Sequence, residues 1–200
     1  RSTRKESSAA SDVYKRRLGI SYVVYYILVS IGISFGYHAY FSHKSFKTNS
    51  LVEILFLICG IICGGRSALT WCGVHRMHHE YSDTDQDPHS PSYNSWYTIL
   101  FSLWKVKNIP RRFIGDLLTN PRVMFFHNYR VELLLAFICI AYILNILPYF
   151  ALVAIFSYLG FGTFLLFSHS NKTPVNRWWM NIFAPFEGKH KDHHDWKPIK

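Results

Sequence analysis

The stretch "VHRMHHEYSDTDQDPH", residues 74–89, holds four histidines and four acidic residues directly after a long apolar block. Three of the histidines, His75, His78 and His79, are spaced i, i+3, i+4. On a helix those positions share one face. Converging imidazoles repel one another once protonated, so three on one face need a common reason to be there. Metal ligation supplies one, because neutral imidazole offers a lone pair and a bound cation keeps it deprotonated.

The same chemistry recurs elsewhere. The chain has eleven histidines, and eight fall in three short boxes. "HAYFSH" carries His38 and His43, "HRMHH" carries His75, His78 and His79, and "HKDHH" carries His190, His193 and His194. His169 stands alone at the end of the last apolar block, and His89 and His127 lie outside the boxes. Eight or nine imidazoles exceed the four ligands of a tetrahedral zinc. They suit two metals with four or five nitrogens each. Imidazole serves iron, copper, nickel and zinc, so ligand type alone leaves the metal open.

Half of the 200 residues are hydrophobic and 18% are aromatic. The apolar residues gather in blocks at 20–41, 51–73, 131–149 and 150–168. No Asp, Glu, Lys or Arg interrupts 20–41 or 150–168. A bilayer span needs about 20 mostly apolar residues. We therefore read 20–41, 131–149 and 150–168 as spans, the last two as a hairpin meeting near Pro148. The mean hydropathy of +0.06 stays low because the remaining segments are polar. Residues 1–17 read as a basic tail or loop, and 171–200 as a polar tail. The net charge of +10 comes with no nucleic-acid motif, so the membrane surface is the default partner and an acidic redox protein the sharper one. Cys59, Cys63, Cys72 and Cys139 form no C-x-x-C pair and read as buried free thiols.

Topology constrains block 51–73. It separates His43 from His75, and a single crossing would put the two boxes in different compartments. Block 51–73 should then lie along the interface or re-enter the bilayer, as its glycines and Arg66 permit. The whole chain reads as one all-α domain: a membrane helical bundle with a helical cap at one face carrying a histidine-rich dimetal site. Three spans would put the N-terminus outside, against the positive-inside rule for Lys15, Arg16 and Arg17. The expectation is a chain incomplete at its N-terminus, with an unusual N-terminal tail as the alternative.

Three stretches carry a resemblance: "GISFGYHAYFSHKSF" (32–46), "WCGVHRMHHEYSDTDQDPHSP" (71–91) and "FEGKHKDHH" (186–194). In them the chain resembles the membrane-bound fatty acyl desaturases, in the branch of stearoyl-CoA and acyl-lipid Δ9 desaturases. The resemblance implies two irons, with O2 as co-substrate, held by His38, His75, His79 and His193 on one side and His43, His78, His169, His190 and His194 on the other. An α-helix agrees with that division, since residues five apart point about 140° apart. The resemblance further implies Asp83 and Asp87 as carboxylates supporting the ligands, and Trp71 beside the bend of an acyl tunnel. It implies a cis double bond, at Δ9, in a fatty acyl chain carried by CoA, a carrier protein or a lipid. It implies an external electron donor such as cytochrome b5 or ferredoxin, and an endoplasmic-reticulum or bacterial inner membrane with the active site on the cytoplasmic side. Lys105, Lys107, Arg111 and Arg112 could face an acidic donor or a carrier's phosphates, or simply mark the cytoplasmic side.

Three residues depart from the family pattern. Ala39 stands where Arg usually follows the first histidine, Leu165 where Asn precedes His169 by four, and Lys191 where Asn follows the first histidine of the third box. These departures keep a hydroxylase on the same scaffold, or an inactive metal- or lipid-binding membrane protein, as the alternatives.

Overall fold

The computed structural model describes residues 2–106 and 108–195, with side chains from residue 11 onward. It is mostly helical. Helix α1, Ser2–Val29, runs without a break into a wider, π-helical segment, Ser30–Ser42. Residues 1–17 were expected as a tail or loop, but the helix begins at Ser2. The first Gly is Gly19 and no Pro precedes it, so no breaker stops the span from propagating backwards.

Two helical stretches are long and apolar enough to cross a membrane: Ser11–Ser42, of 32 residues, and α8, Leu147–Phe167, of 21. The expected third span is less simple. Helix α7, Arg130–Ile143, has 14 residues, and α6, Pro121–Asn128, meets it at a bend of 68°. The turn between α7 and α8 also falls earlier than expected. Asn145 takes the left-handed conformation (φ 55°) that reverses the chain, and Asn is among the few residues that tolerate it. Pro148 then sits in the first turn of α8, where its missing N–H costs nothing.

Block 51–73 divides in two. Helix α2, Ser50–Ile62, is capped by Asn49, whose side chain accepts from the Leu51 and Val52 amides at 3.1 Å. At 13 residues it is about 20 Å long, short of the ~30 Å bilayer core. Gly64 and Arg66, both at positive φ, turn the chain into α3, Ala68–Tyr81, which Ser67 caps. Helix α3 carries the second histidine box.

Helix α2 packs against the π-helical segment at very close range. A Cβ on Gly32 would stand 2.4 Å from the Gly60 amide nitrogen, and one on Gly60 would stand 2.2 Å from the Tyr37 ring. Small residues are what permit such an approach between membrane-associated helices. Around this contact lies the main buried cluster, including Tyr37, Phe41, Phe56, Leu57, Leu69 and Cys72. Cys59, Cys63 and Cys72 are buried free thiols, but Cys139 is exposed on α7. The expected burial fails there because the outward side of that helix faces no protein.

Gly60→Val should therefore force α2 away from the first span. Overpacking of this kind costs about 1–3 kcal/mol. A lower thermal midpoint in detergent, read by circular dichroism, is the expected result; an unchanged midpoint would mean the two helices separate without cost.

Candidate metal centre

Each histidine is placed by an element with its own local logic. His38 lies in the π-helical segment and His43 caps its end. The His43 amide donates to the His38 carbonyl at 3.1 Å, an i→i+5 bond that closes one wide turn. Residues five apart thus return to the same side, and the two rings stand 4.9 Å apart between centroids. Helix α3 presents His75, His78 and His79. His169 follows α8 in a two-residue strand, His169–Ser170, paired with Thr173–Pro174. Helix α9, His190–Asp195, carries the third box. Asn176 starts α9 by accepting from the Lys191 amide at 2.8 Å and the Asp192 amide at 3.2 Å.

The nine histidines gather in two adjoining groups, each with donor atoms within 4.8 Å of one another: His38, His43, His75, His79 and His193, and His78, His169, His190 and His194. His79 and His194 stack across the boundary at 4.3 Å. The division differs from the expected one at His43, which was assigned with His78. The reason is the winding: an α-helix would point His38 and His43 apart, whereas the π-helical turn brings them together.

Within the groups, Nε2 atoms face Nε2 atoms at short range. The pairs are His38–His193, His43–His75 and His79–His193 at 2.9 Å, and His169–His190 and His190–His194 at 3.1 Å. Two adjacent imidazole ligands at about 2.1 Å from one cation would have their nitrogens about 3.0 Å apart. The observed spacing fits that edge. The donor set therefore suits a cation in each group.

The opposite ring nitrogens are held by carboxylates. His78 Nδ1–H donates to Asp87 at 2.9 Å and His169 Nδ1–H to Asp83 at 2.8 Å. His38 Nδ1–H donates to Glu187 at 2.6 Å. Such contacts fix the tautomer that leaves Nε2 free as a ligand. Asp87 further accepts from the Asp83 and His89 amides at 3.2 Å, so one buried carboxylate ties the loop to its helix. The His190 Nδ1 is buried and has no hydrogen-bond partner among the described residues.

Arg76, within the second box, points away from the imidazoles. Its guanidinium donates to Asp116 at 2.7 and 3.0 Å, to the Phe113 carbonyl at 2.8 Å and to the Ser42 carbonyl at 3.2 Å. It thereby locks α3 to the end of the first box. Burial opposes ionisation of Asp116, but Arg76 and Lys44 outweigh it and hold the carboxyl down at about 2.

Burial, reinforced by neighbouring imidazoles, pushes His43 down to about 2, His194 to about 3 and His193 to about 4. His75, His78, His79 and His190 are also pushed well down, with burial the largest cause. Burial favours the neutral form of Glu187, yet adjacent His38 keeps its carboxyl below the ordinary value. Burial pushes Asp87 up.

A cavity of about 450 Å³ ends on this site. Its wall is mainly apolar, with Val29, Ile33, Val74, Phe161 and Leu165, and it reaches His38, His75, His78 and His190. Trp71 lies in the wall and stacks on His75 at 5.0 Å. Of the departing residues, Leu165 is buried in that wall, Ala39 lines an outer groove beside His38 and His193, and Lys191 is exposed and pairs with Asp195. Sequence reading missed Glu187, three residues before the third box, and His89, whose ring packs between His78 (4.4 Å) and Trp104 (5.2 Å). The signal for Glu187 was a lone acid beside a ligand run. The basic stretch is partly engaged: Arg112 pairs with Glu80, while Lys107 lies outside the described residues.

No family model matches the chain. It is 30% identical over 195 residues to the sn-1 stearoyl-lipid 9-desaturase of Synechocystis sp., an alignment covering 90% of this chain and 61% of that protein. By sequence, the chain is a homologue of the acyl-lipid desaturases. The corresponding protein of Anabaena variabilis is 26% identical, with 88% of this chain and 71% of the relative covered. The palmitoyl-monogalactosyldiacylglycerol delta-7 desaturase of Arabidopsis thaliana is also 26% identical, covering 90% and 53%. The chain thus spans about three fifths of the Synechocystis desaturase.

Two outcomes follow from the site. Replacing a supporting carboxylate, as in Asp87→Asn or Glu187→Gln, should weaken metal affinity roughly 10- to 100-fold, measured by chelator competition; equal affinity would deny the carboxylates an orienting role. The second concerns pH in the metal-free protein. Folded imidazole pKa values lie below the unfolded value of about 6.5, so the unfolded chain binds more protons in between. The stability these groups contribute is therefore present above pH ~6.5 and lost as pH falls toward 4. Thermal midpoints taken from pH 8 to pH 4 should decline in that window, and a flat profile would contradict the burial of neutral imidazole.

Proposed function

We propose that the chain is the dimetal-binding part of an O2-dependent fatty acyl desaturase. It introduces a cis double bond, at Δ9, and its metals are two irons held by His38, His43, His75, His79 and His193 in one group and His78, His169, His190 and His194 in the other. The observation that carries this reading is the apolar cavity ending on both histidine groups. Hydrocarbon has no polar handle, so only a shaped, dry cavity can hold one methylene against a reactive centre.

When bound, the irons supply reduction of O2 and oxidation of unactivated C–H bonds. Overall, O2, two external electrons, two protons and two hydrogens of the acyl chain give a double bond and two waters. The protein's own work is positioning. Val29, Ile33, Phe161 and Leu165 exclude water along the chain's path, and Trp71 braces His75 against it. Asp83, Asp87 and Glu187 hold their imidazoles in the ligating tautomer. The histidine groups form a helical cap at the cytoplasmic ends of the spans, where a cytochrome b5- or ferredoxin-like donor can reach them. The acyl chain arrives on CoA, a carrier protein or a membrane lipid. The names of the acyl-lipid relatives favour the last.

Expression in a desaturase-deficient host, with lipid analysis by mass spectrometry, tests the reaction. Monounsaturated chains are expected, and His78→Ala should abolish them. Only hydroxylated chains would replace the proposal with an oxygenase. The purified protein should hold two irons per chain by elemental analysis; one or none would overturn the dimetal assignment.

A further inference from the structure

Residues 178–186, "WWMNIFAPF", lead into the third histidine box and contain no charged residue. The sequence reading placed them in a polar tail, but their structure has two apolar sides. Inward, Met180 is fully buried and Phe183 and Ala184 line the cavity. Outward, Trp178 is 80% exposed, Phe186 65% and Ile182 49%. Phe186 packs at 5.0 Å on Phe35 of the first span, itself 44% exposed. The outward side therefore continues the apolar surface of a helix long enough to cross a bilayer. Scattered exposed apolar residues mean little, but an apolar surface joined to a span needs a partner.

The backbone carries an independent observation. The segment is irregular beyond a single 3-10 turn, Trp178–Ile182, yet several of its backbone polar groups are met from within the protein. Three hydroxyls of the span Ser11–Ser42 donate to its carbonyls: Tyr22 to Ile182 at 2.7 Å, Tyr25 to Phe183, and Ser34 to Pro185 at 2.8 Å. The Phe183 and Ala184 amides donate to Met180 at 2.9 and 2.8 Å. Asn181, the one polar side chain, accepts from the Gly188 amide at 2.8 Å. Non-helical backbone can lie at membrane depth only when protein satisfies it in this way; in water the carbonyls would need no such partners. Arg177 and Lys189 flank the segment, where cationic groups can reach anionic headgroups.

We propose that residues 178–186 are a bilayer-docking face, sunk into the headgroup and upper acyl region against the first span. The docking rests on the membrane reading of that span. Because Glu187 follows directly and holds His38, bilayer contact is one side chain away from the metal ligands.

Spin labels at Trp178→Cys and Ile182→Cys, in a Cys139→Ser background, test this in phosphatidylcholine/phosphatidylglycerol vesicles. Val24→Cys reports the span and Asp85→Cys the aqueous phase. Labels at 178 and 182 should match 24, with relaxation by O2 exceeding that by a water-soluble nickel chelate. If they match 85 while 24 reads as lipid, the docking face is overturned alone. If 24 also reads as aqueous, the membrane reading falls with it. Spin–spin broadening removed by dilution with unlabelled protein would make the face an interface between copies and overturn lipid docking. Native fluorescence gives a check free of cysteine variants: brominated lipid should quench the wild type more than Trp178→Phe, and equal quenching would overturn the proposal.

Discussion

Repulsion among converging imidazoles is the constraint to which the rest of the structure answers. Nitrogens 2.9 to 3.1 Å apart cannot all carry protons. The fold must keep the rings neutral, aimed and immobile before anything binds between them. Burial supplies neutrality by disfavouring the charged form. Aim comes from the far nitrogen, which Asp83, Asp87 and Glu187 hold for three of the nine. Immobility comes from tying each histidine-bearing element to another by polar contacts: Arg76 to the end of the first box, Asn176 to the start of α9, and the hydroxyls of the first span to the chain entering the third box.

These ties explain why the site and the membrane region form one construction. A cap built as a separate domain could shift relative to the spans, and a cavity running from one to the other would open to water. Here the cavity wall is shared. Val29 and Ile33 belong to the first span, Val74 to α3 and Leu165 to α8, each an element that carries or leads into a histidine of the site. The close contact of Gly32 with α2 serves the same end, since a wider spacing there would separate the first box from the second.

Much of this was legible because it depends on residue type at fixed spacing. The i, i+3, i+4 pattern of His75, His78 and His79 survives in α3, and the glycines of 51–73 do interrupt that block, which divides into a 13-residue α2 and the turn into α3. What was not legible depends on winding and on tertiary neighbours. The grouping of His43 with His38 needs an i→i+5 turn, and nothing in "HAYFSH" distinguishes that from an α-helix. Gly32 and Gly36 allow the segment to press against α2, and only that partner shows why the wider winding is stable. Glu187 looked like one more loop acid until the fold brought the first span alongside it. The turn at Asn145 was displaced toward Pro148 because proline is the louder signal, although it begins a helix as readily as it ends one.

The departures at Ala39, Leu165 and Lys191 bear unequally on the chemistry. Lys191 is exposed and its pairing with Asp195 stays on its own helix, so its change leaves the ligands untouched. Ala39 lines the groove at the outer side of His38 and His193, and its methyl group can make no hydrogen bond to either. Leu165 is different. It is buried in the cavity wall among side chains that touch the four-histidine group, and it offers no polar atom there. The imidazole of His89, packed on His78, places a further polar side chain in that same wall. If His78, His169, His190 and His194 hold a cation as proposed, its surroundings combine the apolar Leu165, where the resemblance implies an amide, with the His89 imidazole, which sets a different balance of water and hydrocarbon beside it. Under the proposed function, that balance of water and hydrocarbon beside the site, more than the histidine set, is where the three departures would bear on the reaction.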